Sequence, residues 1–423
     1  MAVYYINFLL IIGLAYPLCI RKPCNVKIGV YLLITFSWMW VIATFRYGIG
    51  FDYYSYIRIF EQIRGTQNLA ALLALRYEPG FALLTGAMTF FIADTNITAN
   101  AAVMYGVYQV FILLPAMWFI YRYSKENAWL ATWLYATLTF FYTSMNFTRQ
   151  ALACSVSLLG YKYLRERKLI PYMLIVLLAA SFHVTALIMV PIYFICQIRL
   201  TKKLAIFYGV SVAVLFLSSN FILDFVTQFV FATYRDTLWL NEHLTARFLF
   251  VPAAILATCL VLLKGWEKRD SDAVMLTNMM MFSFVIWLFS TRHFILERFS
   301  MYPYIFVMVA LPAAISALRA SEKDRMDFAA LKESTLDAPT GGKKKKAGSD
   351  KDALSRRGEL AKNIKEREAF YWSAVVGIFA VTLVYHSMSV HVGDYGFHNI
   401  FPYSSVLEWL GGMVPRSNIF IPA

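Results

Sequence analysis

Arginine, the side chain best suited to binding phosphate, recurs in the polar segments that separate the hydrophobic runs of this chain. Guanidinium is always charged and binds phosphate oxygens through two parallel N–H donors. One such segment, "FRYGIGFDYYSYIRIF" (45–60), adds an aspartate, glycines and tyrosines to its arginines. The charged residues of these segments are Arg46, Asp52, Arg58, Arg64, Arg76, Glu78, Arg149, Arg235, Arg292 and Arg298. They predict a site for a diphosphate or a similar anion.

Arg149 is the sharpest candidate for contact with that anion. It opens a hydrophobic run just after Asn146 and Thr148, which are both suitable N-cap residues. Free amides and the helix dipole would then reinforce an anion site. Arg298 and Tyr302 are four residues apart and share one helix face. The alternatives are an arginine that extends to lipid headgroups and a tyrosine of the aromatic belt.

Three residues are candidates for acid–base chemistry. Asp52 and Glu78 could take a proton from a hydroxyl, since a carboxylate in a partly dry cleft acts as a general base. The alternatives are salt bridges with Arg46 and Arg76. His183 lies within a hydrophobic stretch, where an ionisable residue is a functional candidate by default. The alternative there is a histidine that satisfies buried backbone carbonyls.

The composition places these residues in a membrane protein. Of the 423 residues, 60% are hydrophobic and only 15% are charged, against roughly 25% charged in soluble domains. Apolar runs of the length that crosses a bilayer recur along the chain. The sequence therefore predicts an all-α, polytopic helix bundle with about 10–12 transmembrane helices plus re-entrant or broken segments. The predicted spans are 3–20, 28–45, 100–121, 128–145, 147–164, 204–219, 246–264, 273–290, 299–318 and 370–388.

Lysine and arginine in the short connectors predict which side faces the cytoplasm. The basic connectors are 21–27, 121–127, 165–168, 199–203 and 264–270, together with the long segment 319–369. Assigning all of them to the cytoplasm puts both termini and the arginine-rich segments outside. It also requires that 78–93 and 171–195 do not cross; the second is interrupted at "SFH" and predicts a re-entrant or broken pair of half-helices. The net charge of +14 is then an orientation signal, not a sign of a nucleic-acid partner.

Segment 319–369 divides the chain into transmembrane helices with external loops (1–318), a cytoplasmic loop, and a last span with an external tail (370–423). Its mixed charges and few aromatics predict a disordered loop. The loop is either a solvated tether between the spans or, as the functional alternative, a segment that contacts anionic lipid headgroups.

The sequence offers no motif for a metal or a cofactor, and we expect neither. The five cysteines are scattered in or beside apolar runs, which suggests neither disulfides nor a metal knuckle. Patterns for zinc proteases, nucleotide-binding loops and serine hydrolases do not occur.

An ordered set of motifs resembles the EpsG-like branch of the Wzy polysaccharide polymerases of bacterial envelopes. The motifs are "RYGIGFDYYSY", "YEPGF", "RQALA", "SFHVTALIMVPIYF", "ERFSMY" and "FPYSSV". The resemblance is strongest over about 30–200. The residues that match the motifs are Arg46, Gly48, Gly50, Asp52, Tyr53, Tyr56, Glu78, Arg149, Gln150, His183, Arg298 and Tyr302.

The resemblance implies a membrane glycosyltransferase in the bacterial inner membrane that joins undecaprenyl-pyrophosphate-linked oligosaccharide repeat units, as in O-antigen or exopolysaccharide, on the periplasmic face. We expect metal-independent, inverting transfer, with Arg149 and Arg298 on the pyrophosphate and Arg46 and Arg235 assisting. The lipid bilayer, a chain-length regulator of the Wzz type and a flippase are the further partners implied. An O-antigen ligase, a lipid-linked oligosaccharide flippase or other transporter, and a membrane O-acyltransferase are the alternatives.

Overall fold

The chain folds into helices throughout the part that the computed structural model describes: residues 2–92, 97–221, 245–263, 271–336 and 347–390, with residues 403 and 405. Within these residues there is no β-strand beyond one antiparallel bridge between Arg46 and Ser405. The helices are α1 Ala2–Ala15, α2 Asn25–Thr44, α3 Tyr53–Arg64, α4 Leu69–Leu73, α5 Pro79–Thr89, α6 Ile97–Tyr123, α7 Ala128–Thr137, α8 Phe140–Ser144, α9 Thr148–Leu158, α10 Tyr161–Arg165, α11 Leu169–Ala180, α12 Met189–Ile195, α13 Lys202–Leu217, α14 Phe250–Leu263, α15 Ser271–Ser290, α16 Glu297–Tyr304, α17 Val307–Ser316, α18 Glu322–Leu336 and α19 Ala347–Val390. This confirms the predicted all-α class.

Several of these helices are long and apolar enough to cross a membrane, so the protein is a multi-pass membrane protein. The six in the described ranges are Val3–Ile20, Asn25–Thr44, Asn100–Tyr123, Ala246–Leu263, Asp272–Ser290 and Leu354–Ser389. A bent pair, Phe294–Tyr304 and Val307–Ser316, meets at 56° and makes a seventh if it is one span.

Two predicted spans, 128–145 and 147–164, are broken in the structure. Thr139 adopts a left-handed conformation with φ 67° between α7 and α8, where neither glycine nor proline marks a break. The second run divides into α9 and α10 around Gly160. Every residue of α7 and most of α9 are buried. These short helices therefore lie inside the bundle.

The two stretches that were predicted not to cross are short helices. Helix α5 has 11 residues, about 16 Å at 1.5 Å per residue, which is well short of a bilayer core of roughly 30 Å. Helix α11 ends at Ala180, and a 3₁₀ turn over Val184–Ile188 leads into α12. The predicted interruption at "SFH" is thereby confirmed.

Buried polar contacts connect the helices at several depths. Asn7 in α1 donates to the Tyr142 hydroxyl of α8 at 3.1 Å. The Trp133 indole of α7 donates to Thr382 in α19 at 2.9 Å, and the same indole stacks on Phe379 with ring centroids 4.2 Å apart. Such pairs help to fix helix positions where lipid supplies no hydrophobic drive for helix association.

Part of segment 319–369 is helical, where its composition predicts disorder. Helix α18 and the first half of α19 run through it. Glu368 of α19 accepts hydrogen bonds from Arg319 and Arg325, and these ion pairs hold the two ends of the segment together. The lysine run at 343–346 lies outside the described residues.

Candidate functional site

Glu78 stands at the start of α5, where the sequence fixes its backbone. Pro79 follows it, and a residue that precedes proline rarely adopts helical backbone angles. Glu78 accordingly has an extended backbone, with φ −60° and ψ 137°. The first amides of α5, from Gly80 and Phe81, both donate to the Ser181 carbonyl, at 2.8 and 3.2 Å. A Cβ on Gly80 would lie 2.3 Å from the Ser181 hydroxyl. Glycine is therefore needed for this close contact between α5 and the end of α11.

The contact brings His183 to Glu78. His183 is extended, with φ −160° and ψ 121°, because α11 has ended and the 3₁₀ turn has not begun. Its Nδ1 lies 2.8 Å from Glu78 Oε1, and the amide of Val184 lies 3.4 Å from the same oxygen. Because a carboxylate only accepts, this bond assigns a proton to Nδ1 and leaves Nε2 as the atom that can exchange a proton with substrate.

Arg149, on the first turn of α9, binds the other oxygen of Glu78. Its Nη1 lies 2.8 Å from Glu78 Oε2, and its guanidinium lies 5.7 Å from the ring centroid of Phe81. Its Nε is buried, and nothing in the described part of the chain accepts a hydrogen bond from it. Glu78, His183 and Arg149 form what we call the Glu78 triad.

The triad is charged and partly accessible. Burial by itself would raise the pKa of Glu78, but the hydrogen bond to His183 and the charge of Arg149 outweigh it and lower that pKa from 4.5 to about 2. The exposed fractions of the Glu78, His183 and Arg149 side chains are 17%, 16% and 30%. A substrate group can therefore reach all three.

Tyr56 connects the triad to the first motif. Its hydroxyl accepts a hydrogen bond from the Arg149 amide at 3.2 Å. Burial raises the pKa of this phenol, the Asp52 carboxylate raises it further, and Arg149 opposes both. The charge of Asp52 is therefore felt at the same hydroxyl. Its own amide donates to Asn146 Oδ1 at 3.1 Å.

The N-cap predicted for α9 is wrong in its details. The N-cap residue is Phe147, with no side-chain hydrogen bond to the helix. Asn146 instead accepts from Asp52, and Thr148 donates to the Ser144 carbonyl at 3.4 Å. The Arg149 amide is satisfied by Tyr56. Side chains from other elements therefore take the place of local capping.

Helix α16 adjoins the triad through two contacts. Gln150, next to Arg149, donates its side-chain amide to the Arg298 carbonyl. The Tyr302 hydroxyl lies 2.9 Å from that of Thr185, two residues after His183. The Arg298 guanidinium lies 4.9 Å from the ring centroid of Phe147. Arg298 and Tyr302 are thus brought to the same region as the triad.

Arg46 is buried, although the sequence predicted an arginine that contacts the external anion. It is 0% exposed, donates to the Ala43 carbonyl and, at 3.1 Å, to the Met145 carbonyl. Its guanidinium lies 3.8 Å from the ring centroid of Tyr105, which also stacks on the buried Tyr53 at 4.9 Å. Surrounding carbonyls and rings hold this charge inside the fold.

The glycines of the first motif shape its turn. Gly48 and Gly50 have φ of 62° and 95°, values that favour glycine. A Cβ on Gly50 would lie 2.9 Å from the Met145 carbonyl oxygen. The turn thus packs directly against the residues before α9.

The remaining predicted residue, Arg235, lies outside the described residues. In the part of the chain that is described, no three His, Cys, Asp or Glu side chains are grouped to hold a metal ion. Sequence reasoning did not single out Ser181, Gly80 or Thr185 as site residues. The glycine directly after Glu-Pro was the one available signal, because a glycine at a helix start indicates close approach.

The residues of the site lie within a region that matches a known protein family. The model of the EpsG family matches residues 29–331, well over half of the chain. The match contains the Glu78 triad and helix α16. No curated protein and no solved structure matches.

Proposed function

The chain belongs to the EpsG family, a membership that indicates a polysaccharide polymerase, and from it we propose a specific reaction. The protein joins oligosaccharide repeat units linked to undecaprenyl pyrophosphate, on the outer face of the bacterial inner membrane. The transfer inverts the anomeric centre and uses no metal ion.

One observation carries the proposal: the Glu78 carboxylate binds His183 and Arg149 at once. A proton acceptor and a fixed cation are thereby held side by side on a partly exposed surface. Glycosyl transfer from a lipid pyrophosphate needs these two functions, one for the attacking hydroxyl and one for the leaving group.

In the proposed step a hydroxyl of the acceptor sugar attacks the anomeric carbon of the donor glycan. The new C–O bond forms as the bond to the pyrophosphate breaks, and undecaprenyl pyrophosphate leaves with the electron pair. The hydroxyl proton passes to Nε2 of His183. The Nδ1–H group of His183 stays hydrogen-bonded to the Glu78 carboxylate throughout. Direct displacement of this kind inverts the configuration.

His183 is the better base of the three candidates. The pKa of about 2 makes Glu78 a weak proton acceptor but a strong partner for His183 and Arg149. Asp52, which acts on Tyr56, is the second candidate. A His183→Gln variant that remains active while Asp52→Asn is inactive would reverse this assignment.

Arg149 and Arg298 bind the pyrophosphate in this proposal. The Arg149 side chain is 30% exposed, so its guanidinium can reach an anionic oxygen, and Gln150 ties the two arginine-bearing helices together. Arg46 and Tyr53 position the first motif, Tyr56 and Tyr302 are buried and position Arg149 and Thr185 instead of contacting the sugars, and Arg235 assists. A flippase that supplies substrate and a chain-length regulator are the proposed partners.

The test is complementation of a deletion strain. We expect the deletion to leave single lipid-linked units, wild type to restore a ladder of polymer, and Arg149→Ala to fail. Arg58→Ala is the matched control, because Arg58 is an exposed arginine of α3 that donates to Ser55. Long polymer that persists in the deletion strain but is unattached or unacylated would overturn the proposal in favour of a ligase or an acyltransferase.

A further inference from the structure

A polar pocket of about 580 Å³ lies at the opposite end of the bundle from the arginine-rich motifs in the predicted topology. Its walls come from three basic connectors, 21–27, 121–127 and the start of 319–369, and from Tyr371 and Trp372 of α19. All three are predicted to be cytoplasmic. The structure thus gathers into one pocket segments that charge alone assigned to one side of the membrane.

The pocket carries more positive than negative charge. Lys125, Arg319 and Arg325 line it together with Glu126, and Glu368 pairs with both arginines. Three cations thus face two carboxylates. The adjoining connector adds Arg21, Lys22 and Lys27, and the start of α18 adds Glu322, Lys323 and Asp324, so the balance stays positive. Their sum favours an anionic occupant.

Aromatic rings form the other wall. Trp129 stacks on Trp372 with centroids 5.9 Å apart, and the Arg319 guanidinium lies 4.7 Å from the ring centroid of Tyr371. Tryptophan and tyrosine concentrate at the level of lipid headgroups. The wall therefore places the pocket at the membrane interface.

A second, apolar groove of about 620 Å³ lies next to the pocket, between α2 and α6. Lys125 of the pocket lies 5.0 Å from the ring centroid of Tyr121, which lines the groove. Ile28 of the pocket and Leu32 of the groove are one turn apart on α2. The groove extends along α6 as far as Leu114, away from the connectors and into the membrane.

We propose that the pocket and the groove together bind one anionic glycerophospholipid of the cytoplasmic leaflet. Its phosphate lies beside Lys125, Arg319 and Arg325, and one acyl chain lies in the groove. A basic pocket between transmembrane helices on the cytoplasmic side is a known form of headgroup site. This site is separate from the Glu78 triad and would couple the protein to the lipid composition of its membrane.

The headgroup is tested by native mass spectrometry of the full-length protein with phosphatidylglycerol and phosphatidylcholine of identical chains. We expect preferential retention of phosphatidylglycerol, and an affinity about fivefold lower in Lys125→Gln. Lys162→Gln is the matched control, since Lys162 is also beside a tyrosine ring, near the predicted cytoplasmic connector 165–168 but outside the pocket; it should bind like wild type. Equal retention of the two lipids, or equal loss in both variants, would overturn the proposal.

The chain is tested separately through Gly29, which lines the groove and has open space where a Cβ would point. Gly29→Phe should fill the groove and reduce retention of phosphatidylglycerol severalfold. Gly13→Phe, at an equally open glycine of α1, should not. Unchanged binding in Gly29→Phe would show that the acyl chain does not lie in the groove, and displacement of the lipid by millimolar inorganic phosphate would show that the pocket takes a soluble anion; either result would overturn the proposal.

Discussion

Replacing Glu78 with glutamine tests the centre of the proposed site, because the amide keeps the shape of the carboxylate but removes its charge. The carboxylate accepts from Arg149 and from His183, both at 2.8 Å. An amide has one accepting atom and one donating atom. In Glu78→Gln, either Arg149 faces a donor and loses its hydrogen bond, or the amide donates to Nδ1 of His183 and places the histidine proton on Nε2, where it blocks the proposed base.

The size of the effect follows from these contacts. The fall in the Glu78 pKa from 4.5 to about 2 corresponds to roughly 3 kcal/mol at 1.36 kcal/mol per unit, and the charge-assisted bonds are worth about 1.5–3 kcal/mol each. We expect Glu78→Gln to lower the free energy of unfolding by about 2–3 kcal/mol. Because a positioned base contributes 10²- to 10⁴-fold, kcat should fall at least about 100-fold.

The assay is polymer formation in proteoliposomes from lipid-linked repeat units isolated from the deletion strain, with kcat and KM measured separately. Glu61→Gln is the control: Glu61 pairs with Arg64 at 3.2 Å on α3 and is 39% exposed, so its loss should cost less than about 1 kcal/mol. A folded Glu78→Gln protein with wild-type kcat would refute the reasoning.

Three further predictions concern stability and packing. The pKa of Glu78 is lower in the folded protein, so its stabilisation is full above pH 4.5 and lost as pH falls towards 2; over that range the thermal midpoint of wild type should fall more steeply than that of Glu78→Gln. Gly80→Ala puts a methyl group 2.3 Å from Ser181 Oγ, so it should lower the free energy of unfolding by about 1–3 kcal/mol and remove most of the polymer. The control is Gly65→Ala, where the nearest atom to the new methyl would be 3.5 Å away. Thermal melts and glycan gels should both show it to be like wild type. In Arg46→Lys the lysine cannot bind two carbonyls and stack on a ring at the same time. The variant should give less folded protein on size-exclusion chromatography, with an unchanged KM for the lipid-linked unit. A raised KM with normal folding would mean that Arg46 contacts substrate.

Composition and motif order were enough to predict the helical class, the family and the break before His183. Apolar length reports directly on membrane insertion, and "SFH" interrupts such a run. The breaks inside 128–164 could not be predicted in the same way. Thr139 takes its left-handed conformation within a fully buried environment, and no local residue type encodes it.

The contacts of Glu78 with His183 and Arg149 could not be predicted from the sequence either. Each residue was a candidate by type, but the contacts cross 105 and 71 positions of the chain, and a single sequence does not say which distant candidates meet. Arg46 was predicted to lie on the outer face because the charges of the connectors place 46–77 there, and to bind an anion because guanidinium binds phosphate. The tyrosine ring and carbonyls that accommodate it come from α6 and from the residues before α9.

Helix α19 gives the molecule an asymmetric outline that could serve in imaging. Its 44 residues extend about 66 Å, whereas a bilayer core takes up roughly 30 Å, so about half of its length stands clear of a detergent belt or nanodisc. A rigid protein could be fused to the N-terminal end of α19 through an uninterrupted helix, which would fix its orientation relative to the bundle. Each residue added to the linking helix would rotate the fused protein by about 100° and move it 1.5 Å along the helix axis. Such a fiducial would help electron microscopy to align particles of a small membrane enzyme.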